Sequence, residues 1–254
     1  MTTIRCMFPI FWTQIAMVIR RPMNIATGIV FPWLFLALMT FQRLDSLEPA
    51  IVTAAFSSSI LAALWSAAIW SAAGVLRREI WTGMMASTFT ARYSPTLLTA
   101  VKTGAAMSYD MALILIASFS FLKIFGLSMI IAQPLAFVLG LIAVFIGGGA
   151  ASMLLGSAVI LSRRAFYLTA AAGPPLLLLG GFVIPVDLLP APIRYLSAVI
   201  NLRWLRDFLV STASQPQWSS LAIGVALSAV YVGLAHRAIG VLLHRAKVVG
   251  SLEL

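Results

Sequence analysis

Long stretches without a charged side chain set the strongest limit on what this chain can form. Residues 22–42, 49–76, 124–162, 165–186 and 208–235 carry no Asp, Glu, Lys or Arg, and residues 103–122 carry only Asp110. A helix crossing a bilayer needs about 20 mostly apolar residues, because the hydrocarbon core is about 30 Å thick. Each stretch is long enough. Charged residues make up 9% of the chain, where a soluble domain carries about 25%. The expectation is an all-α integral membrane protein, multi-pass, built as one transmembrane domain.

The number of passes turns on residues 124–162, which hold 39 residues. They form either a loop and one helix, or a hairpin breaking at Gly147-Gly148-Gly149. Charge placement decides. One helix there gives six spans, with both termini on one side. That side then holds Arg5, Arg20, Arg21, Arg77, Arg78, Arg92, Lys102, Arg163, Arg164, Arg237, Arg245 and Lys247. The other side holds Arg43, Lys123, Arg194, Arg203 and Arg206. An excess of Lys and Arg marks cytoplasmic loops. The expected spans are 22–42, 49–76, 97–122, 130–161, 165–186 and 217–243, with both termini and the tail 244–254 in the cytoplasm. No cleavable leader with a basic, then apolar, then small-residue order is evident.

Two segments are neither spans nor short turns. In residues 4–21, Ile4, Phe8, Phe11, Ile15 and Ile19 recur at helical spacing. Arg5, Gln14, Arg20 and Arg21 supply polar edges, so the segment reads as an interfacial amphipathic helix. Residues 77–96 carry Thr82, Ser87, Thr88, Thr90 and Ser94. They are too polar for the bilayer and too long for a minimal helix connection of about 2–8 residues. A cytoplasmic loop with short helical structure fits, and Pro95 starts the next helix.

Candidate functional residues are few. Asp110 is the one acid well inside a span, about 12 Å deeper than Lys102 at about 1.5 Å per residue. An acid in the bilayer is costly unless paired or protonated. It binds a cationic substrate or a proton, or bonds a neighbouring helix through groups such as Tyr109 or Ser108, or sits in an interfacial cavity; the structural role is favoured. Trp65 and Trp70, with Tyr109 and Asp110, are candidates to line a substrate path. The glycines at 147–149 give a small face for close helix contact, and Gly173-Pro174-Pro175 predicts a kink. Between 187 and 210 the chain breaks at Pro190 and Pro192. Ile193, Leu196, Ile200 and Trp204 share one face, while Arg194, Ser197 and Asn201 share another.

Several classes are excluded or weakened. No phosphate-binding GxxxxGK[ST] motif is present, so no cofactor is expected in this chain. Its basic residues lie between apolar runs rather than on a soluble face, which argues against nucleic acid. Cys6 is the single cysteine, and His236 and His244 make no metal pair, so no metal site is expected. An intramembrane serine hydrolase would need Ser157 in contact with His236. A stand-alone secondary transporter would show inverted repeats, and none is evident.

Two motifs resemble the permease subunits of ABC-2 type ABC transporters. The first is RREIWTGMMASTFTARYSPTLL, with Glu79 and Gly83 at the family's acid and glycine and Met84 where a threonine is usual. The second is GGFVIPVDLLPAPIRYLSAVINLRWLRDFL, in which Gly181, Phe182, Pro185, Leu189 and Pro190 match in order. Asn201-Leu202 stands where the family has Asn-Pro. The resemblance spans essentially the whole chain. It implies an ABC exporter that moves a hydrophobic or amphipathic substrate by alternating access. A separate ATPase subunit would supply ATP and Mg, and a second permease, identical or homologous, would complete the pathway among membrane lipid. Arg77, Arg78, Glu79, Trp81, Gly83 and Arg92 would couple to the ATPase. Residues 187–210 would form an external re-entrant segment, with Phe182, Pro185, Asp187, Pro190 and Arg194 at the gate.

Overall fold

The computed structural model describes residues 2–41, 48–161 and 165–249. Arg43, Arg163 and Arg164 of the charge count lie outside these residues, as do Gln42 and the last five residues of the tail. Among the described residues all regular structure is helical, without strands. Helix α1 is Thr2–Ile19. Helix α2 is Pro22–Phe41, α3 runs over 49–81, and α4 is Met85–Thr90. Helices α5 and α6 are Pro95–Ile124 and Pro134–Leu161. Helix α7 is Ala165–Leu179. The short helices α8 and α9 are Ala191–Ser197 and Asn201–Ser211, and α10 is Trp218–Val249.

Proline opens many of these helices. Pro22, Pro49, Pro95 and Pro134 stand at first helical positions, where the missing N–H costs nothing and φ is preset. Ser94 also caps α5 by accepting from the Leu97 N–H at 3.2 Å. Among the described residues, five helices, α2, α3, α5, α6 and α10, are long and apolar enough to cross a membrane, which makes this a multi-pass membrane protein. Residues 130–133 precede α6 as a non-helical link rather than its first turn. Helix α7 has 15 residues, or about 22 Å of rise, short of the expected 165–186 span. Its end is set by Gly180 and Gly181. Gly181 takes φ +70, and the Phe182 N–H reaches back to the Leu177 carbonyl at 3.3 Å, a left-handed glycine cap.

Helix α3 is the centre of the bundle. Its apolar stretch is 94% buried, against 22% to 56% for the other four. Around it pack α2, α5, α6, α7 and α9. Helices α2 and α3 each contain one wide π-helical turn, Ala26–Val30 and Ala68–Ala72. Both wide turns contact α5. One end of the bundle, here the basic end, carries the α3–α5 connection and the neighbouring part of α1. The far end carries the turns before α6 and α10.

Helix α1 packs on α5 with Gln14 and Val18 buried, leaving Phe8, Trp12, Met17 and Ile19 exposed. The expected polar edge at Gln14 is therefore an inward position. Of the apolar set, Phe11 and Ile15 are half-buried while Phe8 and Ile19 are exposed.

Between α7 and α10 the chain dips into the bundle and returns. The Asn201 Nδ2 donates to the Gly147 carbonyl at 3.0 Å, about 20 Å along α6 from its first residue. At its other end, α9 meets the far-end turn, where the Ala132 N–H bonds the Thr212 carbonyl at 3.0 Å. Glycines admit α9. A Cβ on Gly140 would lie 2.5 Å from Leu209, and one on Gly147 or Gly224 would lie 2.6 Å from Leu205. The small face expected at 147–149 is occupied accordingly: Gly147 faces α9, while Gly148 faces Leu64 and Met107.

Candidate functional site

The basic end holds the densest polar chemistry. Arg78 and Glu79 lie in the last turns of α3. A turn over 82–84 then leads into α4, with Gly83 at φ +69 and open space around it. Glu79 is buried. It pairs with Lys102 of α5 and accepts from the Thr88 hydroxyl at 3.1 Å, and Lys102 also donates to that hydroxyl at 3.1 Å. Glu79 thus ties α3, α4 and α5 together. An exposed docking role for its carboxylate does not fit this geometry, because both oxygens are engaged. The other expected coupling residues differ. Trp81 is 72% exposed with the Arg77 guanidinium over its ring at 5.2 Å, and Arg92 is exposed.

Deeper in, Asp110 is fully buried. The Asn24 Nδ2 donates to Asp110 Oδ1 at 3.2 Å and to Ser71 Oγ at 3.1 Å. Asp110 Oδ2 is buried without a hydrogen bond. The three residues meet where the wide turns approach α5: Asn24 just before the first and Ser71 within the second. Such turns recur at functional sites. Arg78 Nη2 donates to the Ser71 carbonyl at 3.3 Å. Arg21 and Arg78 both lie within electrostatic reach of Asp110. Burial lowers the Arg21 guanidinium from its ordinary range, and Asp110 pulls it back up. Asp110 therefore does bond a neighbouring helix, but through Asn24, which also donates to Ser71. The Ser108 hydroxyl donates to the Gly104 carbonyl of its own helix instead.

The other path candidates separate. Trp65 is 4% exposed in the core, while Trp70 and Tyr109 are half-buried against it. Ser157 and His236 do not meet as a dyad. The Ser157 hydroxyl bonds the Leu154 carbonyl at 2.8 Å, and His236 Nδ1 lies 2.9 Å from the Thr96 hydroxyl.

At the far end, Phe182 is 1% exposed and Pro185 is exposed. Both line a cavity of about 310 Å³ with Ser58 and Arg206. Arg206 Nε donates to the Ser58 hydroxyl at 2.9 Å, and its Nη1 to Asp207 at 3.0 Å. The expected gate residues Asp187, Pro190 and Arg194 are exposed. Arg194 folds back onto the carbonyls of Asp187 and Leu189, at 2.8 and 3.3 Å.

The two faces expected from Ile193 on do not run through: Ile200 is buried but Leu196 is not, and Arg194 is exposed but Ser197 and Asn201 are not. Ser197 and Asn201 are fully buried, while Leu196 is 62% exposed. Two causes combine. Residues 198–200 break the helix, so one periodicity does not run through it. In a membrane, apolar side chains also gain by facing lipid while polar ones turn inward. The carbonyls at the break are satisfied: Trp204 Nε1 donates to Ala198 at 2.9 Å, and the Tyr231 hydroxyl donates to Val199 at 2.9 Å. Non-helical backbone at membrane depth needs such partners. The spacing of residues 193–204 holds no sign of the break, and the Arg206–Ser58 pair has no local signature because its members lie 148 positions apart in the chain.

Comparison with protein-family models and with curated proteins gives no match to either.

Proposed function

We propose that this chain is the membrane-spanning permease subunit of an ATP-driven exporter of the ABC-2 kind, with six passes and both termini in the cytoplasm. The observation that carries the reading is the pair α8 and α9, which re-enters the bundle from the far end between α7 and the last span. The exposed Trp81 loop at the opposite end supports it. A basic, aromatic surface suits docking of a partner ATPase, since Trp and Arg are favoured interface anchors. In this reading Trp81, Gly83 and Arg92 meet the partner. Glu79 and Lys102 transmit its push into α3 and α5. ATP and Mg bind in that partner, and a second permease completes the path. The cargo is hydrophobic or amphipathic, passing α8 and α9 as the outer gate.

The test is affinity purification of the tagged chain from native membranes in mild detergent, with mass spectrometry of what stays bound. A stoichiometric ATPase is expected, and it should be lost on Trp81→Ala or Gly83→Trp while the chain stays folded. A chain that comes away alone, even after crosslinking through residues 82–94, would sink the proposal. Asp110, with one oxygen unbonded, favours a second reading as a proton-coupled solitary transporter. That reading expects gradient-driven uptake by the purified chain in vesicles, abolished by Asp110→Asn.

A further inference from the structure

A cavity of about 400 Å³ opens at the basic end between α1, α3 and α5. Arg21, Arg78, Lys102 and Glu79 line its polar wall. Glu79 is neutralised, because its oxygens are taken by Lys102 and Thr88. Arg78 spends Nη2 on the Ser71 carbonyl. Arg21 differs, since its Nη1 is buried with no hydrogen-bond partner. Asp110 lies within electrostatic reach but does not accept from that nitrogen. A buried charged donor without an acceptor is costly. Here it stands beside a cavity whose wall holds three cations to one anion. Nη1 itself is closed to solvent, so an anion in the cavity would meet Arg21 through the rest of its guanidinium and offset the uncompensated charge.

The opposite wall says what the anion is attached to. Pro9, Ile10 and Met17 of α1 line the same cavity. The outer side of α1 exposes Phe8 and Trp12, side chains suited to the level where headgroups meet acyl chains. A free phosphate ion gains nothing from this apolar wall, whereas a lipid uses both. A choline headgroup would bring its own cation against Arg21 and Arg78. We propose that this cavity binds an acidic phospholipid, with its phosphate on Arg21 and its chains along α1. The proposal does not depend on the exporter reading.

The test uses the full-length chain in detergent and native mass spectrometry. Phosphatidylglycerol and phosphatidylcholine are titrated separately, and sodium phosphate serves as competitor. Phosphatidylglycerol is expected to bind about tenfold more tightly, the scale of one charged hydrogen bond. Arg21→Gln should erase that preference. So should Thr13→Trp, which fills the cavity mouth and removes no charge. Arg237→Gln, at an exposed position outside the cavity, should leave it intact. Equal affinity for the two lipids would overturn the proposal, as would a preference that survives Thr13→Trp. Displacement of the lipid by millimolar phosphate alone would make this a free-anion site and overturn the lipid assignment. If Arg21→Gln does not fold, Thr13→Trp decides.

Discussion

Lys102 holds a buried carboxylate at the joint between α3 and α5, so its loss is asymmetric. Lys102→Met strands Glu79 and is expected to cost about 3 kcal/mol, the scale of breaking a buried pair. The double change Lys102→Met with Glu79→Gln should recover much of that. Thermal unfolding in detergent of both variants measures the difference; equal losses would mean that the pair contributes nothing. Asp110→Ala leaves Asn24 without its acceptor and Arg21 without its nearest anion, and should destabilise more than Asp110→Asn in the same assay. These single residues were half legible in the sequence. An acid inside an apolar run is conspicuous, so Asp110 could be singled out, while Glu79 stood out only through the resemblance of its loop. Their partners could not, because Asn24 lies 86 positions from Asp110 and Lys102 lies 23 from Glu79. No local pattern links residues that meet only after the helices pack.

Among the elements, α9 depends on absent side chains. Gly140, Gly147 and Gly224 leave the notch that Leu205 and Leu209 fill. Gly147→Val should push α9 outward and destabilise by about 1–3 kcal/mol, the usual cost of overpacking. Tyr231→Phe removes one bond to the α8–α9 turn and should cost about 1 kcal/mol. Thermal midpoints test both, and an unchanged Gly147→Val midpoint would show that the notch is not tight. The long helices were legible because length and charge-free runs dictate them. The re-entrant pair was legible only as prolines and a half-polar stretch. Its two faces read in the sequence as one continuous periodicity, which the break over 198–200 interrupts.

For the whole molecule, sidedness is the point to test. In a Cys6→Ser background, cysteines at Gly83 and Leu188 occupy opposite ends of the bundle, both exposed. A membrane-impermeant thiol reagent applied to intact cells should label Leu188→Cys only; reversed labelling would invert the orientation. The wide turns bear on how such a bundle can move. In counting terms, each is a helix carrying one residue more than its length requires. Such a surplus behaves like a dislocation in a crystal, which can migrate without lengthening the rod. Every side chain it passes swings by about 100°, one residue's share of a turn, while both ends stay anchored. Removing Ala68 would delete the surplus from α3 at little cost to the fold, and circular dichroism of that shortened chain would report whether it still folds. With the surplus in place, α3, pinned near its end at Glu79 and packed along its length, has a way to rotate in segments without sliding; without it, only a rigid rod is left.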